Sequence, residues 1–394
     1  MTNAEIIALD GAHEIGVYAR QPVAFVRGRG AELWDADGKR YLDFFAGLAV
    51  NNLGHCHPAV VEAVQAQAAR LMHTSNIYYT APVAELAALL CRHSFAERVF
   101  FCNSGAEANE AAMKLARRWG AEHGAGRFEI LATTGSFHGR TFGTLTATGQ
   151  EKYHHGFRPL LPGVRLVPYD DLAAMADAVH DETVAILVEP IQGEGGVVVP
   201  RPDYLPGLRE LADERKLLLI LDEIQCGLGR TGRLFAHEHA GIVPDVMTLA
   251  KALGGGLPIG AMCTTERLAA VLKPGTHGST FGGNPVACAA AVAALGALAD
   301  PALLGHVEAV GRHFRARLER LAARDRRIRA VRGLGLMLGI VLETTGQKIV
   351  ERCLADGLLI NCTADRVLRF LPPLVVTEAQ VDEGFAILER ALAA

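Results

Sequence analysis

An α/β fold with a mostly parallel central sheet is predicted by two features of this 394-residue chain. Between residues 99 and 262, short and continuously apolar runs alternate with stretches of helical period. Strands buried on both faces and joined by crossover helices produce that alternation. The flanking segments read differently, as a hairpin at one end and amphipathic elements at the other, and predict a smaller α+β domain.

Taken in order, residues 24–45 alternate apolar and polar positions around the turn DADGKR, as in a small antiparallel hairpin. Strands are expected at RVFFCN (98–103), FEILATT (128–134), VRLVPY (164–169), VAILVEP (184–190), LLLILDE (217–223) and DVMTLA (245–250). Helices are expected at 105–119, 171–180 and 203–215. From residue 285 an alanine-rich helix runs to 299, followed by an arginine-rich helix (306–323) and a strand, GLMLGIVLE (335–343). A helix near 346–356, a strand VLRFLP and a terminal helix (378–392) complete the chain. The expected division is an N-terminal segment (1–60) contributing to the small domain, a large domain (61–284) and a C-terminal small domain (285–394). The arginines of 312–329, interspersed with Glu308 and Glu319, read as a solvated helix face rather than a nucleic-acid surface.

Half of the residues are apolar and the net charge is −4, which argues against nucleic-acid and membrane partners. No apolar run reaches spanning length, and the acidic start MTNAEIIALDG lacks the pattern of a secretion signal. The eight cysteines form no C-x-x-C pair and suit a reducing compartment, so a cytoplasmic location is expected.

Lys251 is the most informative residue. It lies in VMTLAKALGGGLPIGAM, and the apolar strand LLLILDEIQ before it carries Asp222 at its end. A lysine amine in apolar surroundings is costly unless paired, neutral or covalently occupied, and Schiff-base lysines use such sites. A strand-end aspartate is a partner for the pyridinium nitrogen of pyridoxal 5′-phosphate (PLP). In NSGAEANEAAMKLARRWG, Ser104 and Glu107 have capping-box spacing and Gly105 permits close backbone approach. The segment fits a plain helix start or a phosphate cradle. In GSFHGRT, Phe137 could stack on a flat heterocycle or cover the core, and Arg140 could grip a carboxylate or join a surface ion pair. Glu189 and Glu194 bracket a loop in EPIQGEGGV, and Ser279 and Thr280 in HGSTFGGNP could bind oxyanions or stabilise a turn.

GLGRTG (227–232) fits the dinucleotide fingerprint G-x-G-x-x-G, which would suggest an NAD-dependent oxidoreductase. That reading is rejected, because DEIQC separates the strand from the first glycine and no room remains for a crossover helix. The pairs His55/His57 and His237/His239 have no third ligand nearby in sequence, and no metal site is proposed.

Together NSGAEANEAA, FHGRTFG, VEPIQGEGGV, LDEIQCGLGRTG, LAKALGGGLPIGA and HGSTFGGNP resemble the class-III, fold-type-I, PLP-dependent aminotransferases. The resemblance extends from LGHCHPAV to VLRFLPPL, nearly the whole chain, and is strongest to the bacterial acetylornithine branch. It implies a large domain with a mostly parallel sheet, a smaller α+β domain, and transamination of N2-acetyl-L-ornithine with 2-oxoglutarate. Succinylornithine, succinyldiaminopimelate, ornithine and 4-aminobutyrate are alternative donors for the same site.

The resemblance also implies residue roles. Lys251 carries the cofactor and shuttles the proton; Asp222 holds the ring nitrogen; Gln225 reaches the phenolic oxygen. Phe137 and Ile224 flank the ring, and Ser104, Gly105 and Ala106 hold the phosphate. Arg140 grips the substrate carboxylate remote from the reacting amine. Arg369 takes the α-carboxylate of glutamate, and Glu194 neutralises Arg369 when no such carboxylate is present. Thr280 reaches the phosphate of the neighbouring subunit and Ser279 touches substrate there, which implies a homodimer. Two departures stand out: Ala106 occupies a position where many relatives carry Thr, and GLAVNNLGHCHP lacks the tyrosine found there in ornithine aminotransferases.

Overall fold

The computed structural model describes residues 1–393. Its centre is a seven-stranded sheet in the order Arg98–Cys102, Gly260–Thr264, Val246–Leu249, Leu218–Asp222, Thr183–Val188, Glu129–Thr133, Val164–Val167. Only Gly260–Thr264 runs antiparallel to its neighbours. The six expected apolar runs all form strands of this sheet; Gly260–Thr264 is an addition. Thr183–Val188 and Leu218–Asp222 are buried at every position, which explains why they are apolar without alternation.

The helix Gly105–His123 lies against this sheet through Ala108, Ala111, Ala112, Leu115 and Ala116, a single stripe at helical spacing. Small side chains let its backbone approach the strands closely. Gly120 is required on the same face, because a Cβ there would lie 1.9 Å from the Arg127 carbonyl oxygen. The expected helices at 171–180 and 203–215 form as Leu172–Ala178 and Tyr204–Arg215.

Outside the large sheet, Phe25–Arg29, Glu32–Asp35 and Arg40–Asp43 form an antiparallel meander, which Leu358–Leu359 joins in parallel. A further antiparallel sheet contains Ile328–Leu334, Met337–Leu342, Val367–Phe370 and Asn361–Thr363. Its first strand falls at the end of the arginine-rich stretch, where no strand is expected from the sequence. The helix before it starts earlier than expected, at Pro301, because Asp300 caps it and proline suits its first turn. Val307, Val310, Phe314, Leu318 and Leu321 form its buried stripe, while Arg324 pairs outward with Glu389. The alanine-rich helix Pro285–Leu298 packs on Pro58–Ala68, on Ala81–His93 and on the turn carrying Lys251.

Arg230, within GLGRTG, is fully buried and joins distant segments. Its guanidinium donates to the Leu336 and Pro372 carbonyl oxygens at 3.1 and 2.5 Å, and to Asn52 Oδ1. Asn52 Nδ2 in turn donates to the Leu228 carbonyl at 2.9 Å. The glycines around Arg230 therefore serve a buried turn, and the chain continues into a 3-10 turn, Ala236–Ala240, rather than a crossover helix. Among the described residues no single helix is long and apolar enough to cross a membrane.

Candidate active site

The carboxyl ends of the parallel strands converge on a cavity of about 490 Å³. Its lining includes Ser104, Gly105, Ala106, Phe137, Arg140, Glu194, Asp222, Ile224, Gln225 and Lys251. Ligand sites in open α/β sheets form at this edge.

Asp222 closes its strand and is 3% exposed. Its Oδ2 accepts from Asn109 Nδ2 at 2.8 Å and lies 2.7 Å from His138 Nδ1, while Oδ1 accepts from the Ile224 N–H at 3.0 Å. Thr248 Oγ1 donates to Asn109 Oδ1 at 2.7 Å. The carboxylate is thus held on the helix side as well as the strand side, with acceptor capacity left on Oδ1.

Lys251 follows the next strand, in the left-handed conformation (φ 42°) at the start of a 3-10 turn. Burial pulls its amine below the usual lysine value, against the opposing charges of Glu194 and Asp222. A larger neutral fraction puts more of the amine in the form that can attack an aldehyde or take up a proton.

Ser104 caps Gly105–His123 by accepting from the Glu107 N–H at 3.2 Å. The reciprocal contact is displaced by one residue from a capping box: Glu107 accepts from the Asn103 N–H at 2.9 Å. Among the described residues no acceptor takes the N–H of Gly105 or Ala106, and both residues line the cavity. A Cβ on Gly105 would lie 2.7 Å from Ile224 Cδ1, so glycine keeps the helix start and Ile224 close together.

Glu189 and Glu194 have different environments. Glu189 is buried, and its carboxylate accepts from the Phe137 N–H at 3.0 Å and the Gly193 N–H at 3.1 Å, tying two loops together. Burial pushes its acid up to about 7, opposed by the charge of His138. Glu194 lies 2.6 Å from Arg369, which is completely buried. Burial alone would raise the Glu194 acid, but the charge and hydrogen bond of Arg369 outweigh it and hold the group below its usual value. Arg369 also donates to Gln225 Oε1 at 3.0 Å and Asn361 Oδ1 at 3.2 Å, while its Nη2 has no partner among the described residues. Arg369 does not line the cavity; it stands behind Glu194 and Gln225.

Arg140 is exposed and, among the described residues, makes neither an ion pair nor a hydrogen bond. Its guanidinium carbon sits 3.9 Å from the Tyr153 ring centroid and 5.6 Å from that of Phe137. Ser279 accepts from Asn103 Nδ2 at 3.2 Å. Thr280 is exposed and borders a second cavity, together with Tyr78, Tyr79 and Phe281, rather than the cavity at Lys251. Sequence reasoning missed His138, Asn109, Val50 and Tyr153. Asn109 had a visible signal, a polar residue inside an apolar helix stripe.

This strand-edge cavity and its Lys251–Asp222 pair lie within a stretch that matches the family model "Aminotransferase class-III" over residues 16–392. The chain is a class-III aminotransferase. An acetylornithine aminotransferase from Caldanaerobacter subterraneus subsp. tengcongensis is 50% identical over 389 residues, covering 98% of this chain and 99% of the relative. One from Methanocaldococcus jannaschii is 51% identical over 387 residues, covering 97% and 96%. The structure of an ornithine aminotransferase from Toxoplasma gondii, with partial occupancy of PLP at its active site, superposes with a TM-score of 0.96 at 38% identity, covering 100% of this chain and 94% of that one.

Like its family, this aminotransferase is a PLP enzyme, and the cavity fits that group. The open N–H groups at the helix start suit a phosphate, the buried Asp222 suits a protonated ring nitrogen, and the Lys251 amine suits an aldehyde. Cys226, beside this site, is buried, its Sγ is 3.8 Å from the Asp222 carbonyl oxygen, and burial pushes its thiol well up. It is a packing residue of the aminotransferase.

Proposed function

We propose that this aminotransferase moves the side-chain amino group of N2-acetyl-L-ornithine to 2-oxoglutarate. The products would be N-acetyl-L-glutamate 5-semialdehyde and L-glutamate, a reversible step of arginine biosynthesis. The observation that carries this reading is the unequal state of the two arginines. Arg140 has its N–H groups free, whereas Arg369 is covered by Glu194. An ω-amine donor presents a carboxylate only at its far end, where Arg140 would take it. Glutamate and 2-oxoglutarate present two carboxylates, and the second would displace Glu194 from Arg369. The sequence relatives named above support the acetylated donor.

PLP, when bound, supplies an aldehyde that carries the amino group and a ring that accepts electrons. Lys251 would anchor it and then move the proton at the reacting carbon, for which a depressed amine pKa is suited. Asp222 would accept the ring N–H, Gln225 would meet the phenolic oxygen, and Phe137 and Ile224 would confine the ring between them. Ser104, Gly105 and Ala106 would hold the phosphate. Ser279 and Thr280 would act in the neighbouring subunit of a homodimer, a reading supported by the exposed Tyr78, Tyr79 and Phe281 around Thr280.

Val50, from the stretch that lacks the tyrosine of ornithine aminotransferases, lines the cavity, and an apolar residue there favours the acylated donor. The test is a kcat/KM panel of acetylornithine, succinylornithine, ornithine, acetyllysine and 4-aminobutyrate with 2-oxoglutarate. Acetylornithine should rank first, and a higher value for free ornithine or 4-aminobutyrate overturns the assignment. Borohydride should fix the cofactor on Lys251, and Lys251→Ala should abolish turnover while retaining some PLP.

A further inference from the structure

Arg140 and Arg369 are oriented by different means. Arg369 is held in place by a carboxylate that must leave before another can bind. Arg140 is held by a ring. Tyr153 lies under its guanidinium at 3.9 Å, and Phe137 meets Tyr153 edge-on, with centroids 5.9 Å apart and planes at 80°. A guanidinium stacked on an aromatic face keeps its N–H groups in its own plane, pointing away from the ring, where a carboxylate can bind without displacing anything.

The platform is itself fixed. Tyr153 ends the 3-10 turn Glu151–Tyr153, and its N–H donates to the Gln150 carbonyl at 3.0 Å. Gln150 Nε2 donates to the Ser136 carbonyl at 3.1 Å, immediately before Phe137. The next residue, His154, is buried, with Nε2 2.9 and 2.8 Å from the carbonyl oxygens of Leu145 and Thr148.

We propose that Tyr153 is a positioning residue for substrate carboxylates: its ring pre-orients Arg140 and leaves the guanidinium edge free for the carboxylate remote from the reacting amine. This rests on the reading of Arg140 as a carboxylate clamp. Tyr153 does not line the cavity at Lys251, so its removal should act on KM rather than kcat.

The test uses PLP-loaded enzyme with Tyr153→Leu, Tyr153→Phe and Arg140→Met. Tyr153→Leu should raise KM for acetylornithine and 2-oxoglutarate roughly 3- to 30-fold, the range of a lost cation–ring contact, with kcat nearly unchanged. Tyr153→Phe keeps the ring and should restore both KM values. The half-reaction with butylamine, which has no carboxylate, should respond to neither substitution. If Arg140→Met raises KM and Tyr153→Leu does not, the proposal fails. If Arg140→Met also leaves KM unchanged, it is the reading of Arg140 that fails. An equal loss with butylamine would assign Tyr153 to general packing and overturn the proposal. Should Tyr153→Leu not fold, phenylalanines of increasing fluorination at position 153 keep the shape and weaken the ring's negative face. KM should then climb with each fluorine, and a flat series rejects the idea.

Discussion

Arg369, with no surface exposed to solvent, lies 2.6 Å from Glu194 at the edge of the Lys251 cavity, and its Nη2 has no partner among the described residues. A buried guanidinium stripped of its carboxylate is strongly destabilising, so the pair is best understood as a covered binding site. In Glu194→Gln the cover loses its charge while its shape remains. The ratio of kcat/KM for glutamate to that for acetylornithine should rise by roughly 10- to 150-fold, the worth of a hydrogen bond to a charged group at about 1.5–3 kcal/mol. An unchanged ratio in steady-state assays of both half-reactions would show that Glu194 does not compete with substrate.

The same substitution should change Lys251. Burial lowers the amine's pKa, Glu194 raises it, and Arg369 lowers it further. Neutralising Glu194 removes the largest of the charges that favour the ammonium and leaves only Asp222 and Glu189 against burial and Arg369, so the pKa moves down. The rate of PLP capture by apoenzyme, followed by absorbance, should therefore reach its plateau at lower pH in Glu194→Gln than in wild type. A shift to higher pH contradicts the assigned fields.

Glu189 makes folding stability depend on pH. Its acid lies near 4.5 when unperturbed and is raised to about 7 in the fold. The folded chain then binds the extra proton, so the stabilisation is complete below about 4.5 and fades as pH rises through 7. Gln at this position cannot titrate. Urea denaturation of apoenzyme at pH 5 and pH 7.5 should show wild type losing stability relative to Glu189→Gln as pH increases. A constant difference would refute the shift.

Gly105→Ala should weaken PLP binding more than it weakens the fold. Its Cβ would meet side-chain atoms of Ile224 and no backbone, with Cδ1 at 2.7, Cγ2 at 3.0 and Cγ1 at 3.2 Å, so the side chain as a whole must turn away. Ile224 would then enter the space beside the ring, and the helix start would stand further from the phosphate. Spectroscopic titration should show PLP affinity falling about 10-fold or more, roughly the loss of one hydrogen bond to a charged group, with the apoenzyme's denaturation midpoint close to wild type.

Lys251 and Asp222 were legible because each is a charge at the end of a largely apolar run, a pattern packing alone does not explain. The parallel strands were legible for the same reason, since burial on two faces removes alternation. Gly260–Thr264 was not foreseen because a core strand has the same composition whichever way it runs. Ile328–Leu334 was hidden by Arg329 and Arg332, which continue the arginine pattern of the preceding helix. Tyr153 sits in a three-residue turn, too short to have a period, and its value comes from a loop residue brought over it by the fold. The turn before Val50 was equally hidden. Ala46, Leu48 and Ala49 are all left-handed, at a cost of about 1–2 kcal/mol each. Asp43 Oδ1 helps hold that turn by accepting from the Phe45 and Ala46 N–H groups at 2.8 and 2.9 Å.

The three acceptors of Arg230 belong to Asn52, Leu336 and Pro372, so this one guanidinium cannot have them all until residue 372 has been made. A nascent chain that stops short of Pro372 would hold Lys251 and Asp222 on a finished sheet, yet leave that buried cation with two of its three acceptors. The segment around Pro372 is thus tied through one buried guanidinium to the turn that follows the Asp222 strand, so a part of the chain made late fastens one made much earlier.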